Sequence, residues 1–348
     1  MAAPPQTPML PFLRFIPIAK ERSWAATRLA SFGKPTIPGA RVGETWELSD
    51  LPDSIAGGQS RVDGGPFAGC SMRELRTQRR DELLGVATPA PDGAFPLLMK
   101  FLDAADNLSL QVHPDAAYAA SHPDAHLKTE AWIIVACDPG ARVYRGIRPS
   151  TTREQFAAAL RKGHALEHIE SYQVAAGDCI YLPSGVCHAL GGGILAAEVQ
   201  TPSDTTFRVW DWNRNDPKRP LHLEQAWQCM KFGHEQEDGV AGFVSAATAP
   251  RREAAGIVTR RLCRCRFFTV ESLEIIDDTA IAFEQTGVPE VWMTLAGQSR
   301  WSSASDSFDA SAGATVLRPA RVESATMSAS AGTRLLRFIC ASPLDRAT

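Results

Sequence analysis

The stretch that decides the fold is Gly177-Asp-Cys-Ile-Tyr-Leu-Pro183-Ser-Gly185-Val-Cys-His188. A glycine opens a tight turn, a short apolar strand follows, and Pro183 with Gly185 fixes a bend that aims His188 inward. Upstream, Gln111-Val-His113 reads as strand, and side chains at i and i+2 of a strand share a face. Glu130-Ala-Trp132 opens a further apolar strand. Two imidazoles, one carboxylate and one amide oxygen can thus converge from three strands. That nitrogen and oxygen donor set suits Zn²⁺, with other divalent ions possible, and one carboxylate leaves the ion with a residual positive charge, a catalytic type of site. A Gln-x-His alone is an ordinary strand face; four such groups buried without a shared partner would cost several kcal/mol.

Around these segments the strands are short. From about Phe95 to Trp212 they alternate with turns, and from 256 to 348 strand signals recur at Phe267–Ile276, Glu290–Leu295, Ala314–Leu317 and Arg334–Ile339. No alternating helices exist to make parallel crossovers, so the pattern favours a mainly β protein of sandwich or jelly-roll type. Helical excursions are expected at about 71–85, 151–169 and 221–231. The first two start at the capping boxes Ser71-Met-Arg-Glu74 and Thr151-Thr-Arg-Glu154. An Ala/Gly/Glu-rich stretch near 235–255 reads as a linker. It divides a site-bearing domain, 1–235, from a metal-free β domain, 236–348. The halves look like degenerate copies: Glu130-Ala-Trp132 answers to Glu290-Val-Trp292, and Gly177 and Pro183 to Gly313 and Pro319. The position matching His188 is Ser324, and no histidine follows His234.

Composition bounds the rest. The 348 residues are 44% hydrophobic and 22% charged, ordinary globular values that exclude a disordered chain. With 36 basic and 39 acidic side chains the formal charge is −3, and no basic block offers a footprint for nucleic acid. No apolar run approaches the roughly 18–20 residues of a membrane span, and the proline-rich start makes a poor signal peptide. Eight scattered cysteines without a C-x-x-C pair read as reduced thiols, and Cys263 and Cys265 as core. A cytoplasmic location is expected, with no obligatory protein partner. His122, His126, His164 and His168 lie in polar text and read as surface or supporting groups.

Further polar residues cluster near the candidate ligands. Ser109 and Lys128 each stand two residues before one, Lys100 closes the run Phe95-Pro-Leu-Leu-Met, and Glu198 sits in the apolar strand Ile194–Gln200, where a lone carboxylate is expensive without a role. A mutual ion pair of Lys128 and Glu198 is the plain structural alternative.

In order, these strings resemble the class I mannose-6-phosphate isomerases, zinc-dependent cupin phosphosugar isomerases. The matching segments are Gly43-Glu-Thr-Trp-Glu47, Pro96-Leu-Leu-Met-Lys100, Leu108-Ser-Leu-Gln-Val-His-Pro114, Lys128-Thr-Glu-Ala-Trp132, Pro183-Ser-Gly-Val-Cys-His-Ala-Leu-Gly191 and Ser203-Asp-Thr-Thr-Phe-Arg-Val-Trp-Asp-Trp212. The resemblance covers most of residues 10–232 and is looser beyond, and it looks like the shorter bacterial forms. It implies two cupin-type jelly rolls and interconversion of mannose 6-phosphate and fructose 6-phosphate through a cis-enediol(ate), with one Zn²⁺ per chain on Gln111, His113, Glu130 and His188. It also implies a pocket lined by Lys100, Ser109, Lys128, Glu198 and Arg208. Arg208 would stabilise the enediolate, Lys128 or Glu198 would carry the proton, and Asp204 would orient Arg208 or help open the sugar ring. Lys100 and Ser109 would hold substrate oxygens. Where the family has W-G-G this chain has Trp24-Ala-Ala, and Leu127 stands where short forms often have glycine; both bear on the pocket rim. The rival readings are a cupin sugar isomerase of other specificity, an oxygen-using iron cupin and a non-catalytic sugar-binding regulator. Intact Lys100, Lys128, Glu198 and Arg208 speak against the last.

Overall fold

The computed structural model describes residues 9–214, 216–236 and 238–343. It is mainly β, as the strand spacing implies. Its contacts divide it into two compact units, one of residues 19–46 and 97–248, the other of residues up to Ile18, Glu47–Pro96 and Ala249 onward. Among the described residues no helix is long and apolar enough to cross a membrane.

The unit of 19–46 and 97–248 is built on two antiparallel sheets. One runs Phe243–Val244, Cys179–Leu182, Glu130–Cys137, Ile194–Gln200, Leu98–Ala104, Val42–Leu48, Ile18–Glu21; the other runs Phe207–Trp210, Leu110–Val112, His188–Leu190, Arg142–Ile147, Ile169–Gln173. Leu98–Ala104 and Ile194–Gln200 lie inside the first sheet and are buried along their whole length, which is why they read as apolar runs. Trp132, Ile134, Ile180, Leu182 and Ile194 share one apolar core, and Leu110, Val112, Phe156, Ala189 and Val209 share another.

Register carries the polar residues to one face. Glu198 lies opposite both Lys100 and Trp132, and Gln200 opposite Glu130. In the other sheet Gln111 lies opposite His188 on one side and Arg208 on the other.

The other unit has a sheet ordered Leu13–Arg14, Thr315–Arg318, Glu290–Ala296, Arg334–Cys340, Phe268–Ile275, Ile257–Arg264, Arg251–Ala254, and a second one of Thr279–Ala282, Thr326–Ala329, Gln298–Ser302, Ser307–Ser311. Phe12, Trp292, Trp301 and Met327 fill its core.

This division differs from a boundary at 235/236. Leu13 pairs with Leu317, and the segment after the capped helix Met72–Gln78 is tied in by Val86 N–H to Gly287 O at 2.9 Å, Thr88 N–H to Ala341 O at 3.0 Å and Ala320 N–H to Leu83 O at 3.1 Å. Main-chain pairing of segments far apart in the chain, not chain order, decides membership. Gly85, at φ +54°, permits that docking, because a Cβ there would collide with the Gly287 carbonyl.

Three local expectations are corrected. The second capping box is Thr152-Arg-Glu-Gln155, one residue later than read, because Thr152 has the extended backbone of an N-cap while Thr151 is buried and bonded to His168 Nδ1 at 3.0 Å. The stretch near 235–255 is not a bare linker: Gln236 is buried and bonds both main-chain groups of Ile147 at 2.8 Å, Phe243–Val244 joins a sheet, and Arg251–Ala254 pairs with Ile257–Arg264. Of the two cysteines expected in the core, Cys263 is buried in its strand, but that strand ends at Arg264 and Cys265 beyond it is only half-buried.

Candidate active site

Lys100, Ser109, Gln111, Lys128, Glu130, Glu198, Asp204 and Arg208 line one cavity of about 350 Å³, with His113 and His188 buried against Glu130. All lie in the unit of 19–46 and 97–248. His122, His126, His164 and His168 do not line it.

The centre is a cluster of His113, Glu130 and His188 whose ligand atoms all lie within 4.8 Å of one another. His188 Nε2 is 3.2 Å from Glu130 Oε1, and His113 Nε2 is 3.6 Å from Oε2. Each ring's Nδ1 faces a main-chain carbonyl, Val186 O at 2.8 Å for His188 and Thr205 O at 3.0 Å for His113. Nδ1 therefore carries the proton, and both Nε2 lone pairs point at the carboxylate. Gly185 sets this up: at φ +87° it donates its N–H to His113 O at 3.0 Å and leaves room for Cys229 O, 2.8 Å from where a Cβ would stand.

Lone pairs facing lone pairs require a cation. His113 Nε2 and both Glu130 oxygens are buried and make no hydrogen bond among the described residues, although Lys128 Nζ lies 2.8 Å from Oε2. Burial, followed by the charge of Lys128, pushes His113 down to about 3, so it is a neutral imidazole, the form that binds metals. Gln111 completes the ring with its amide Nε2 3.4 Å from His188 Nε2, and a half-turn of the amide presents its oxygen instead. These residues fit a bound divalent ion.

The E-x-W segments supply an internal control. Trp46 donates to Glu44 and Trp292 to Glu290, each at 3.1 Å, whereas Trp132 Nε1 is buried without a partner because Glu130 is turned to the histidines.

Beside the cluster stand Lys128 and Glu198, both buried. Burial weakens the Lys128 proton, but Glu130, Glu198 and Asp204 outweigh it and hold Lys128 above the usual lysine range. Burial, with Glu130 as a like-charged neighbour, pushes Glu198 up to about 8 against the pull of Lys100 and Lys128. Glu198 Oε1 has no hydrogen bond; Lys100 Nζ is 3.7 Å and Lys128 Nζ 3.9 Å away. Lys100 is anchored on Gln200 Oε1 at 2.6 Å, and Ser109 Oγ donates to Gln111 Oε1 at 3.5 Å. Arg208 donates from Nη1 to Pro220 O at 2.8 Å, while its Nε is buried without a partner. The carboxylates whose field reaches Arg208 are Asp211 and Asp216. Asp204 instead acts on Lys20, Arg22 and Lys128, and makes no hydrogen bond to Arg208.

Trp24, expected at the pocket rim, lines the cavity, whereas Arg22, Glu44, Lys218 and Arg219 are lining residues that sequence reasoning passed over. The signal for Glu44 was present, since Glu44-Thr-Trp46 repeats the E-x-W pattern. Arg22 binds Glu44 through Nε at 2.8 Å and Nη2 at 3.1 Å, and a pair so far apart in the chain leaves no local signature.

Residues 13–133 match the family profile "Phosphomannose isomerase type I, catalytic domain". The chain is 37% identical over 262 residues to mannose-6-phosphate isomerase ManA of Bacillus subtilis, covering 74% of this chain and 78% of that one. It is 36% identical over 285 residues to mannose-6-phosphate isomerase of Streptococcus mutans, covering 80% and 83%. The crystal structure of the mannose 6-phosphate isomerase from Bacillus subtilis superimposes with a TM-score of 0.81 at 26% identity, over 94% of this chain and 99% of that one. With the same fold along nearly its whole length and this identity over three quarters of it, the chain belongs to the type I phosphomannose isomerase family.

Proposed function

We propose that the chain interconverts mannose 6-phosphate and fructose 6-phosphate, with a divalent cation, zinc by the chemistry of its donors, on Gln111, His113, Glu130 and His188. The observation that carries the reading is the set of facing acceptors on His113, Glu130 and His188, of which His113 Nε2 and both Glu130 oxygens make no hydrogen bond among the described residues. When bound, the ion supplies Lewis-acid stabilisation to oxygen atoms that gain negative charge.

Glu198 serves as the base. In its ionised form its free Oε1 takes the proton from C2 of the open-chain aldose to give a cis-enediolate, and returns it to C1 as the hydroxyl proton of O2 passes to O1, which gives the ketose. Lys128 stays protonated beside Glu130 and donates to the developing oxyanion; Arg208 donates to the neighbouring oxygen from its unpartnered Nε. Lys100 and Ser109 hold substrate hydroxyls, and Asp204, exposed on the cavity rim, is available for ring opening. Catalysis is thereby assigned to the unit of 19–46 and 97–248, and the other unit has no part in the chemistry. A cytoplasmic setting belongs to the same proposal and is supported by eight cysteines, none of them in a disulfide.

Proton NMR of the enzyme with mannose 6-phosphate in deuterated water tests the reading. Fructose 6-phosphate and exchange at the migrating position are expected, and Glu198→Gln is expected to abolish exchange while substrate still binds. Product formed at the wild-type rate by Glu198→Gln would remove Glu198 as the base; no product from the metal-loaded wild type would remove the isomerase.

A further inference from the structure

At one edge of the cavity lies a group of cations that the chemistry at Glu130 leaves unused. Asp211, buried just past the strand Phe207–Trp210, accepts from Arg219 Nε at 2.8 Å and Nη2 at 2.9 Å, and from Arg214 Nη2 at 2.8 Å. Arg214 is otherwise turned to the main chain of Asn107 and Asp211, whereas Arg219 lines the cavity together with Arg208 and Lys218. The loop is rigidly specified. Trp212 and Asn213 both take φ 57°, with Trp212 Nε1 on Leu108 O at 2.6 Å and Trp210 Nε1 on Asn213 Oδ1 at 3.0 Å.

Two features mark this edge as an anion site. The first is a vacant donor: with Nε and Nη2 engaged by Asp211, Nη1 of Arg219 has no partner among the described residues. Arg22, another guanidinium on the cavity wall, differs, since Glu44 and Glu21 O occupy its Nε, Nη1 and Nη2. The second is charge. Arg208 feels Arg219 and Arg214 against Asp211 and Asp216, and Arg208 and Arg219, both on the cavity wall, repel each other across a partly desolvated space. A phosphate monoester carries roughly −1.5 to −2 at neutral pH and would turn that repulsion into attraction.

We propose that Arg219 anchors the phosphoryl group of the sugar phosphate, and that Asp211 is its positioning residue, so that the pair sets the preference for phosphorylated over free hexose. This inference rests on the phosphosugar reading above and extends it to residues outside the metal cluster.

The test compares wild type, Arg219→Gln, Asp211→Asn and Asp211→Glu, reading KM and kcat for mannose 6-phosphate and the competitive inhibition constant of inorganic phosphate. In Arg219→Gln, KM and the phosphate constant should rise together by about 30-fold, with a much smaller fall in kcat, as expected for loss of a charge-assisted bond. Asp211→Asn should move both in the same direction by roughly tenfold, and Asp211→Glu should recover part of the loss. A phosphate constant within about twofold of wild type in a folded Arg219→Gln protein overturns the assignment. Should the wild type make no fructose 6-phosphate while titration calorimetry still shows Arg219-dependent binding of inorganic phosphate, the isomerase reading falls and the anion anchor stands.

Discussion

Replacing Glu44 by Gln removes one charge from the cavity wall with little change of shape. Glu44 is buried, takes two hydrogen bonds from Arg22, at 2.8 and 3.1 Å, and one from Trp46 Nε1 at 3.1 Å. Burial by itself would raise its carboxyl, but Arg22, Lys100 and these hydrogen bonds together draw it from 4.5 down to about 2. At 1.36 kcal/mol for each factor of ten in proton affinity, the ionised form contributes on the order of 3 kcal/mol at neutral pH. Because the folded value is the lower one, that contribution is complete above pH 4.5 and disappears as pH falls through 2. Urea unfolding of wild type and Glu44→Gln between about pH 7 and about pH 3 measures it. The variant should be less stable by about 3 kcal/mol at neutral pH, with the gap narrowing by up to about 1.4 kcal/mol per pH unit in acid. The difference between the two proteins is the readout, since protonation of the metal ligands affects both alike. Parallel stability curves would show that Arg22 and Trp46 gain nothing from the charge of Glu44, and the electrostatic account of this wall would be abandoned.

Three further outcomes are expected. His188→Ala should weaken retention of the divalent ion by at least about 100-fold, read as metal per chain by elemental analysis after dialysis; full occupancy would exclude His188 as a ligand. Glu290→Gln strips the carboxylate that Arg318 Nη1 meets at 3.0 Å and Arg337 Nη2 at 2.5 Å, and should cost about 3–5 kcal/mol in urea unfolding without changing metal content. Gly85→Ala forces a side chain into a left-handed residue packed against the Gly287 carbonyl, and should cost about 2 kcal/mol or more by the same assay; a neutral result would mean the Val86 segment docks some other way.

The candidate ligands were legible in the sequence through short local signals, Gln-x-His at 111 and 113 and a Gly and Pro bend for His188, although the strand Leu110–Val112 ends one residue before His113. So were two helices, Met72–Gln78 and Arg153–Lys162, through caps that recruit side chains within four residues; the second box slipped by one because consecutive threonines compete and only the backbone of Thr152 decides, while Arg28–Ser31 and Ala116–Ser121 were not read at all. What remained hidden is non-local. Nothing in Leu13-Arg14 announces pairing with Leu317 and Val316, and nothing in a loop tells that Asp211 will hold Arg219 eight residues on. Strand periodicity specifies which face a residue shows, not which strand it meets.

The two E-x-W strands show how little need change to convert one chemistry into another. Glu130 lies opposite Leu182 and Gln200, and Glu290 opposite Arg318 and Ile339; two residues on, Trp132 lies opposite Glu198 and Trp292 opposite Arg337. The turn glycines correspond as well, with Gly177 at φ 92° and Gly313 at φ 89°. One copy therefore has an acid where the other has an arginine, and a leucine where the other has a second arginine. Two guanidiniums saturate Glu290, and Trp292 Nε1 binds it too. Glu130, with an acid as its neighbour in place of those arginines, has Lys128 Nζ 2.8 Å from Oε2 but no hydrogen bond among the described residues, and its oxygens face the histidine nitrogens. The carboxylate is common to both; two guanidiniums that hydrogen-bond it at Glu290, against two histidine nitrogens that face it at Glu130, separate a structural ion cluster from a site that can take a further cation.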